Sequence, residues 1–536
     1  MLDYQKWIDI AECAAREQLA QPGPGSRSVQ RRPSLGLVLL DTIPPALEEI
    51  PEGCTILCLH RGPVPAEATL ARRVPASFQP ADAVGLALEA LDAEMLCFLG
   101  AGERLAPGAL HLVATVLQHR PLFDVVFTDE DWLGEAGRRM RPFFKPGWDP
   151  ELQRGRDLLG PFTFLRASLV RAATVATGPA WRYDLASQVA AAAGPGGVCH
   201  IPAVLCHRTA TEPGFAVAAR EAAAAQLQRE GVAALVEPVG TVEGHRALYV
   251  IPRPEPLVSV IVPTRDRVDL LRACAEGVLR QTNYPSLELL IVDNDTVAED
   301  ALALLDELAA DPRVRVLRRP GPFNWSALNN GAACTATGSV LLLLNNDTAV
   351  LRPDWLTVLV AHVVQPGVGA VGAKLLYPDG RVQHAGLTTD SRGVPRHLFR
   401  YLPGDAADPY GMTTLARTVW AVTGACLAVT RATFFKVGGL NESLPIAYND
   451  VDFCLRLAAH GYRTVWTPWS LVEHHELATR PPDHSPERRE KTQEELDHLR
   501  RDWGGLVLHD PWLNPNLELA GEKLGLRRTV EPAMFA

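Results

Sequence analysis

The stretch "LLLLNNDTAV" at residues 341–350 joins four leucines to two asparagines and an aspartate. A short run this apolar is typical of a strand that a sheet buries on both faces. The polar side chains that follow it then lie at the edge of the sheet. An earlier stretch, "LCFLGAGERLAPGAL" at 96–110, has the same apolar run without the Asn-Asn-Asp. We therefore expect two related sheets, of which only the later one carries this polar end.

Outward from this strand, apolar runs alternate with helical segments. The strands "LVSVIVPT", "LELLIVDND" and "RVRVLRR" precede it, each followed by a helical pattern. This order predicts a doubly wound, mostly parallel sheet, which binds ligands beyond the carboxyl ends of its strands. Earlier runs, among them "SLGLVLL", "CTILCLH" and "FDVVFTD", alternate with Ala- and Leu-rich segments in the same way. The predicted fold class is α/β, with two such domains in tandem.

Four regions are expected along the 536 residues, because the chain is too long for a single core. They are an N-terminal helix and linker at 1–34, a first α/β domain at 35–250, a second at 256–480 and a helical tail at 481–536. The prolines of "IPRPEPL" at 251–257 mark the boundary between the two domains. Charges at helical spacing in the tail predict a solvated helix.

The bulk composition argues against several classes of protein. A formal net charge of -10 disfavours a general binder of nucleic acid or anionic membranes. The ten cysteines form no CxxC pair with metal-ligand spacing, which predicts reduced core residues in a cytoplasmic protein. The sequence has no apolar run long enough to span a membrane, and its start has no signal-peptide core.

Polar groups gather at the predicted strand ends of the later domain. A hard divalent cation binds a few oxygen ligands, typically one or two carboxylates together with substrate phosphates. Asp347 with a histidine and a diphosphate would suit Mg²⁺ or Mn²⁺. The gathered residues are Asp293, Asn345, Asn346, Asp347, Asp450, Asp452 and His474.

Residues 257–480 resemble a family 2 glycosyltransferase with the GT-A fold. The matching pieces occur in the family's order and include "VSVIVPTRDR", "LLIVDND", "FNWSALNNGA", "LLLLNNDT", "VTGACLAVTR" and "YNDVDFCLRLAAHGYR". The subgroup most similar is that of bacterial O-antigen or surface-polysaccharide enzymes often named rhamnosyltransferases. That subgroup has Asn-Asn-Asp where others have Asp-X-Asp, so Asn345 replaces the first carboxylate.

The resemblance implies a donor pocket for a nucleotide sugar. Thr264 and Asp266 would cradle the base, and Asp293 would accept hydrogen bonds from the base or the ribose. The asparagines expected to line the pocket are Asn330, Asn345 and Asn346.

The resemblance also implies the chemistry. Asp347 would bind a divalent cation on the donor diphosphate, and His474, or His475 after a slip of one residue, would complete the metal site. Asp450 would act as the base that takes the proton of an acceptor hydroxyl. One displacement of this kind inverts the anomeric centre. Proton removal by a positioned side chain typically contributes ~10²–10⁴-fold.

Each of these residues also has a purely structural reading. Asp, Asn and Thr after a strand are common turn formers, and Asp450 and Asp452 suit the first turn of a helix. Two other functions therefore stay open. One is a catalytically inactive carbohydrate-binding or scaffold protein. The other is a nucleotidyltransferase, although the first loop, "VPTRDRVDLL", lacks the glycine that such an enzyme would want.

The first domain resembles the N-terminal halves of tandem bacterial glycosyltransferases through "TDED" at 128–131 and the "KPGW" after it. Its metal position reads "LGAGE" at 99–103, where Glu103 is the only acid, and its base segment is reduced to "WRYDLASQ". We expect a degenerate copy that serves as scaffold, acceptor-binding surface or dimer contact. "TDED" is expected to cap a hairpin and pack against "GRRMRP".

The expected partners are a nucleotide sugar and a saccharide or lipid-linked saccharide acceptor, with no nucleic acid. Such an acceptor would bring the protein to the inner face of the plasma membrane as a peripheral protein, and a homodimer is compatible with the tandem arrangement. The segment "HDPWLNPNL" at 509–517 resembles the end of such chains and is expected to fold over the donor site.

Overall fold

The computed structural model describes residues 3–20, 32–42, 49–62, 70–240, 244–407, 411–475 and 486–528. It divides into two compact units. The first unit runs to Ala247 and also includes 511–520 and the residues from Gly525 onward, and the second comprises 248–510 and 521–524. The domain limits expected from the sequence stay predictions.

The N-terminal helix predicted from the sequence is present. It consists of α1 (Tyr4–Trp7), a π-helical turn (Ile8–Glu12) and α2 (Cys13–Leu19). The strands up to residue 249 are β1 (Leu35–Leu40), β2 (Cys54–His60), β3 (Leu70–Arg73), β4 (Met95–Leu99), β5 (Glu103–Leu105), β6 (Val125–Leu133), β7 (Arg139–Phe143), β8 (Thr163–Arg166), β9 (Val198–Arg208), β10 (Ala234–Pro238) and β11 (His245–Tyr249). The helices between them are α3 (Pro80–Ala90), α4 (Ala109–His119), α5 (Pro150–Gly155), α6 (Ala167–Ala172), α7 (Trp181–Ala193) and α8 (Phe215–Arg229).

The strands that follow are β12 (Val258–Thr264), β13 (Leu287–Asp293), β14 (Val314–Arg318), β15 (Val340–Leu344), β16 (Thr348–Val350), β17 (Val368–Leu376), β18 (Val382–His384), β19 (Leu387–Thr389), β20 (Pro395–His397), β21 (Arg417–Val419), β22 (Cys426–Thr430), β23 (Arg463–His474), β24 (Leu517–Ala520) and β25 (Lys523–Leu526). The helices are α9 (Val268–Glu276), α10 (Glu299–Ala309), α11 (Trp325–Thr335), α12 (Trp355–Val363), α13 (Arg431–Lys436), α14 (Asn449–Ala459) and α15 (Pro486–Trp503).

The two large sheets have the same topology. The first has the order β3-β2-β1-β4-β8-β6-β9-β5 and the second the order β14-β13-β12-β15-β22-β17-β23-β16. Strand for strand, the parallel and antiparallel pairings agree, from the parallel β1–β2 and β12–β13 pairs to the antiparallel β5–β9 and β16–β23 pairs. The predicted fold class, two tandem mixed and mostly parallel α/β sheets, is confirmed.

The apolar runs form the cores of the two units, as their composition predicts. The residues of β15 are at most 1% exposed, and β12 and β22 flank this strand on its two sides. In the first unit, β4 is buried in the same way, between β1 and β8. Burial of such side chains stabilises a fold by about 1.5–3 kcal/mol each. The apolar run that opened the sequence therefore forms the centre of the second sheet.

The "TDED" segment forms part of β6 and anchors the N-terminal helix. The Asp131 carboxylate accepts hydrogen bonds from Tyr4 Oη at 2.5 Å and Arg139 Nε at 2.6 Å. His207 Nδ1 lies 2.5 Å from the same carboxylate. The predicted contact with the arginine-rich segment is thus present, and it belongs to the β6–β7 hairpin.

The segment after the tail helix makes hydrogen bonds within the first unit. Asn514 donates hydrogen bonds from its amide to Asp129 Oδ2 at 2.8 Å and to the Lys145 carbonyl at 2.8 Å. Asn516 donates to the Pro202 carbonyl at 2.7 Å. Residues 511–520 are therefore a part of the first unit, and the placement of 509–517 over the donor site stays a prediction. The physical reason for these hydrogen bonds is that β6 presents a buried carboxylate that requires donors.

Within the described part of the chain, no helix combines the length and apolarity needed to cross a membrane. All ten cysteines are free thiols.

Candidate functional site

The site lies at the carboxyl edge of the second sheet, where several strands end side by side. Thr264, the last residue of β12, is in register with Asp293, the last residue of β13. Asp293 is in turn in register with Arg318, the last residue of β14. β15 ends beside β12, so the asparagines after it reach the same edge. This is the edge at which doubly wound sheets bind ligands.

Asp347 and His474 meet at this edge. Thr348, which follows Asp347, pairs with His474 where β16 and β23 run antiparallel. Nε2 of His474 lies 3.1 Å from Oδ1 of Asp347, and both residues are buried. The ring of His475 instead contacts Glu473, with Nε2 2.7 Å from Oε1. The geometry thus favours His474 over His475 as the partner of Asp347.

The hydrogen bonding of His474 leaves one ring nitrogen, Nε2, able to bind a cation. Its Nδ1 lies 2.8 Å from Oε1 of Gln383, which can only accept, so Nδ1 carries the hydrogen. With the hydrogen on Nδ1, Nε2 is the ring nitrogen that can bind a cation, and it faces the Asp347 carboxylate. Two electron-donating atoms in contact are stabilised by a proton or by a metal ion. One carboxylate and one imidazole, together with diphosphate oxygens, fit Mg²⁺ or Mn²⁺.

The protein supplies few ligands at this position. Among the residues that the structure describes, no group of three or more His, Cys, Asp or Glu side chains could hold a metal ion. An ion held by Asp347 and His474 alone would therefore need oxygens from a bound substrate. This is the pattern of cations that accompany phosphates.

The two asparagines before Asp347 have separate roles. Asn346 donates from its amide to Thr264 Oγ1 at 3.0 Å and so connects the ends of β15 and β12. Oδ1 of Asn345 accepts a hydrogen bond from Trp325 Nε1 at 3.3 Å. Both contacts hold the loop after β15 in place. Asp347 is the one acid among residues 345–347 of that loop.

Asp450 lies in the first turn of α14 and is partly buried. Its carboxylate accepts hydrogen bonds from the N–H of Gly424 at 2.9 Å and of Val451 at 2.8 Å. Burial raises the pKa of the Asp450 carboxyl above its usual value, and the two N–H groups offset part of that increase. A carboxylate whose proton affinity is increased in this way is better suited to act as a general base.

Gly424 connects the base to the loop after β15. It lies two residues before β22, which pairs with β15, and the N–H of Asn345 donates to the neighbouring Ala425 carbonyl at 3.0 Å. A Cβ at position 424 would lie 2.6 Å from the ring of Trp325, so this close approach requires glycine. The loop of Asp347 and the carboxylate of Asp450 therefore share one edge of the sheet.

The carboxylates of Asp293 and Asp266 both accept hydrogen bonds from backbone N–H groups, and Asp293 also forms an ion pair. Asp293 is buried, pairs with Arg318 and accepts from the N–H of Thr296 at 3.0 Å. Asp266 has a left-handed backbone and accepts from the N–H groups of Val297 and Ala298 at 2.6 and 2.8 Å. These hydrogen bonds lower the pKa of the Asp266 carboxyl. Both acids flank the ends of β12 and β13, as predicted, and a contact with a nucleotide stays a prediction.

The side chain of Asn330 is hydrogen-bonded to a neighbouring turn. Its amide donates to the Leu440 carbonyl and to Glu442 Oε1, both at 2.9 Å, and Oδ1 accepts from the N–H of Leu440 at 2.8 Å. These contacts make Asn330 a brace for residues 440–442. They do not support its predicted contact with a donor.

Asp452 is bound as the structural reading expects. Its carboxylate pairs with Arg456 at 2.8 Å and accepts from Trp503 Nε1 at 2.9 Å. It is 3% exposed, so Asp450 is the acid of this turn that is available for chemistry.

Two buried polar residues beside the site were missed by sequence reasoning. Gln383 orients His474, and His384 is fully buried beside it. Nε2 of His384 accepts from the N–H of Thr423 at 3.4 Å, and Nδ1 lies 2.9 Å from Nδ1 of His397. The short strand "VQH" that carries both residues has no periodic pattern to mark it, and only a polar pair between apolar neighbours hinted at it.

Part of the second unit matches a known protein family. Residues 259–421 match the family model described as "Glycosyl transferase family 2". The second unit therefore contains a family 2 glycosyltransferase domain, as the motifs predicted.

Two similar relatives extend beyond that domain. Over 450 residues, 81% of this chain, the sequence is 39% identical to the uncharacterized protein y4gI of Sinorhizobium fredii and covers 49% of it. It is also 39% identical over 450 residues to the O-antigen biosynthesis protein RfbC of Myxococcus xanthus and covers 34% of that protein. The chain thus spans about half or less of the length of these relatives.

A shorter match is 28% identical over 203 residues, 36% of this chain and 60% of the relative. That relative is the N-acetylglucosaminyl-diphospho-decaprenol L-rhamnosyltransferase of Mycobacterium tuberculosis.

Proposed function

We propose that the second unit transfers a sugar from a nucleoside-diphosphate donor to a hydroxyl of a saccharide acceptor, with inversion at the anomeric carbon. The observation that carries this proposal is the shared sheet edge on which Asp347, His474 and Asp450 lie. Membership of residues 259–421 in the glycosyltransferase family supports it.

The donor nucleotide would bind along the ends of β12 and β13. Thr264, Asp266 and Asp293 flank this part of the edge, and Asn346 connects it to the loop of Asp347. The diphosphate would then reach Asp347 and His474, whose donor set suits a divalent cation. A cation held by Asp347 and His474 would supply positive charge opposite the departing diphosphate, an effect of several kcal/mol.

Asp450 would take the proton of the acceptor hydroxyl. Its carboxylate is oriented by the N–H groups of Gly424 and Val451, so the free lone pairs of the two oxygens are held in a fixed direction. Burial raises its pKa and thereby its affinity for that proton. The oxygen of the acceptor attacks the anomeric carbon as the bond to the diphosphate breaks.

The acceptor proposed is a saccharide or lipid-linked saccharide of a cell-surface polysaccharide. The relatives whose names mention O-antigen biosynthesis and rhamnosyl transfer to a lipid-linked sugar support this class. Such an acceptor would place the protein in the cytoplasm at the inner face of the plasma membrane, attached as a peripheral protein. A homodimer stays a prediction.

The test is donor turnover by the full chain. A panel of nucleotide sugars is incubated with Mn²⁺ and neutral oligosaccharide acceptors, and release of the nucleoside diphosphate is measured. We expect release that stops with EDTA and returns with excess Mn²⁺. Absence of release across the panel would overturn the proposal. Pyrophosphate release from a nucleoside triphosphate and a sugar phosphate would favour a nucleotidyltransferase.

A further inference from the structure

The first unit has a cleft at the place where the second unit has its site. Because the strand orders agree, β5 and β9 correspond to β16 and β23. In the first sheet Glu103 pairs with Arg208, and in the second Thr348 pairs with His474. Arg208 therefore occupies the place of His474.

The residue before each pair shows what replaces Asp347. The N–H of Thr209 donates to the Gly102 carbonyl at 2.7 Å, just as the N–H of His475 donates to the Asp347 carbonyl at 2.9 Å. Gly102 thus stands at the position of Asp347. With a glycine and an arginine in place of the acid and the histidine, this edge of the first sheet lacks the pair that suits a cation.

The cleft at this edge is polar, and the roughly 490 Å³ of space in and above it includes open solvent. Its lining combines carboxylates, guanidinium groups and the aromatic residues Tyr183 and Phe215. The charged residues of the lining are Glu103, Asp157, Arg182, Arg208 and Glu212.

The backbone conformation does not require glycine at the two glycine positions of the cleft. Neither Gly100 nor Gly102 has a positive φ. A Cβ at Gly100 would lie 3.4 Å or more from its neighbours, and one at Gly102 at 3.5 Å, which are ordinary or slightly close contacts. Side chains are therefore sterically permitted at both positions, and their absence keeps the cleft open.

A carboxylate is retained where the second unit has its base. Asp157 Oδ1 accepts a hydrogen bond from the N–H of Gly160 at 2.9 Å. The β4–β8 and β15–β22 registers make Gly160 the counterpart of Gly424, to which Asp450 binds. In the first unit this carboxylate comes from the loop before β8 and not from a helix. The first unit therefore keeps a carboxylate that can accept a hydrogen bond from a hydroxyl group. It lacks the counterparts of Asp347 and His474, the pair that suits a cation.

The charges of the cleft decide between two classes of ligand. Arg182 is held by Glu103 through contacts of 2.5 and 2.8 Å, and Arg208 pairs with Glu130 at 3.1 Å. The positive charges are thus already matched, and Asp157 and Glu212 add negative charge. A diphosphate would be repelled here, whereas a neutral polyol can donate to the carboxylates and accept from the guanidinium groups.

We propose that the cleft of the first unit, between Gly100, Asp157 and Arg208, binds an uncharged saccharide without a metal ion. This goes beyond the proposed transfer reaction, because it assigns a second, non-catalytic sugar site to the chain. The ring of the sugar would lie over the space left by Gly100 and Gly102, with its hydroxyl groups on Asp157 and Arg182.

The test measures binding of neutral mono- and oligosaccharides to the full chain in EDTA by saturation-transfer NMR and calorimetry. The variant Gly100→Leu fills the cleft without changing its charge. The matched control is Gly196→Leu, at an exposed glycine whose added Cβ would meet nothing within 4 Å and whose φ is not positive. Thermal unfolding of both variants verifies that they fold.

We expect binding in EDTA that Gly100→Leu weakens at least tenfold and Gly196→Leu leaves unchanged. Uridine and guanosine diphosphates tested in EDTA should not compete for this site. The proposal is overturned if no neutral saccharide binds, if binding is the same in Gly100→Leu, or if that variant loses binding of a nucleoside diphosphate instead. Should Gly100→Leu not fold, Gly102→Ser with the same assays takes its place. Because turnover is not measured, failure here is distinct from failure of the transfer reaction.

Discussion

At the scale of single residues, the pair of Asp347 and His474 defines what the second unit can bind. Replacing Asp347 by Ala removes the one acid of the loop after β15. We expect kcat/KM for donor turnover to fall by about 10³-fold, which corresponds to about 4 kcal/mol of lost charge stabilisation. Unfolding should change little, because the backbone contact between His475 and the Asp347 carbonyl is kept.

The control for this variant is Asp354→Ala, seven residues along the chain. The Asp354 side chain is 41% exposed and pairs only with Arg352 among the ion pairs described. Its loss should leave turnover within a factor of two. Equal losses in the two variants would show that Asp347 acts through the fold and not through a ligand.

Asp450 makes a prediction about pH. Burial raises the pKa of its carboxyl, so the protonated and inactive form persists to higher pH than for an ordinary aspartate. Turnover should therefore rise with pH through that raised pKa. In Asp450→Asn the side chain can still accept from Gly424, but kcat should fall about 10²–10⁴-fold and this acidic limb should disappear. A pH–rate profile of both proteins measures this, and an unchanged limb in the variant would count against Asp450 as the base.

Residues of the site differ in how far the sequence predicts them. Asp347, Asp293 and Asn346 follow apolar strands directly, so their place at a sheet edge follows from strand order. Asn330 and Asp266 were predicted by resemblance alone, and their hydrogen bonds hold turns of the chain. A partner such as Gln383 lies on a strand of three residues, for which no periodicity can be recognised.

At the scale of elements, α15 holds the start of α14. Oε2 of Glu495 accepts from the N–H groups of Ile446 and Ala447 at 3.2 and 2.7 Å, just before the turn that carries Asp450. In Glu495→Ala these two donors lose that acceptor. We expect unfolding to become easier by ~1–3 kcal/mol, together with a lower kcat and faster amide exchange at 446–450.

The neighbouring Glu494→Ala provides the control, since Glu494 is exposed on the same helix. It changes the same charge without touching the turn. If both variants exchange equally fast at 446–450, the helix does not hold the turn through Glu495.

The sequence predicted this helix but not its packing. Charges at helical spacing indicate a solvated face, and most of α15 conforms to this. Leu496 and Leu499 are nevertheless buried, and they form the narrow apolar stripe that fixes the helix. A contact between a carboxylate and backbone N–H groups depends on tertiary placement, which no local pattern contains.

At the scale of the whole molecule, the sequence predicts the duplicated strand order. It does not predict that residues 511–520 complete the first unit. Two alternating series of strands and helices, with one repeated apolar run, are sufficient to predict two related sheets. That residues 511–520 belong to the first unit depends on a buried carboxylate, Asp129, whose partners lie far apart in the chain.

The variant Asn514→Ala tests whether residues 511–520 stabilise the first unit. Its amide donates to Asp129 and to the Lys145 carbonyl, so Asn514→Ala leaves two buried acceptors with one partner fewer. We expect a loss of ~1–3 kcal/mol in the unfolding of the first unit, measured by denaturant titration. Donor turnover by the second unit should be unchanged. Lys523→Ala, at an exposed residue, is the control, and equal destabilisation by both changes would contradict the contact.

The return of residues 511–520 to the first unit also sets an order of events during synthesis. A ribosome delivers residues 248–510 before it delivers the segment that contains Asn514. Domains generally fold as units while the chain emerges, the N-terminal one first. Here the first unit waits, with Asp129 of β6 short of one hydrogen-bond donor, until the segment that contains Asn514 has been made. Its native contacts therefore cannot be complete before most of the second unit has emerged.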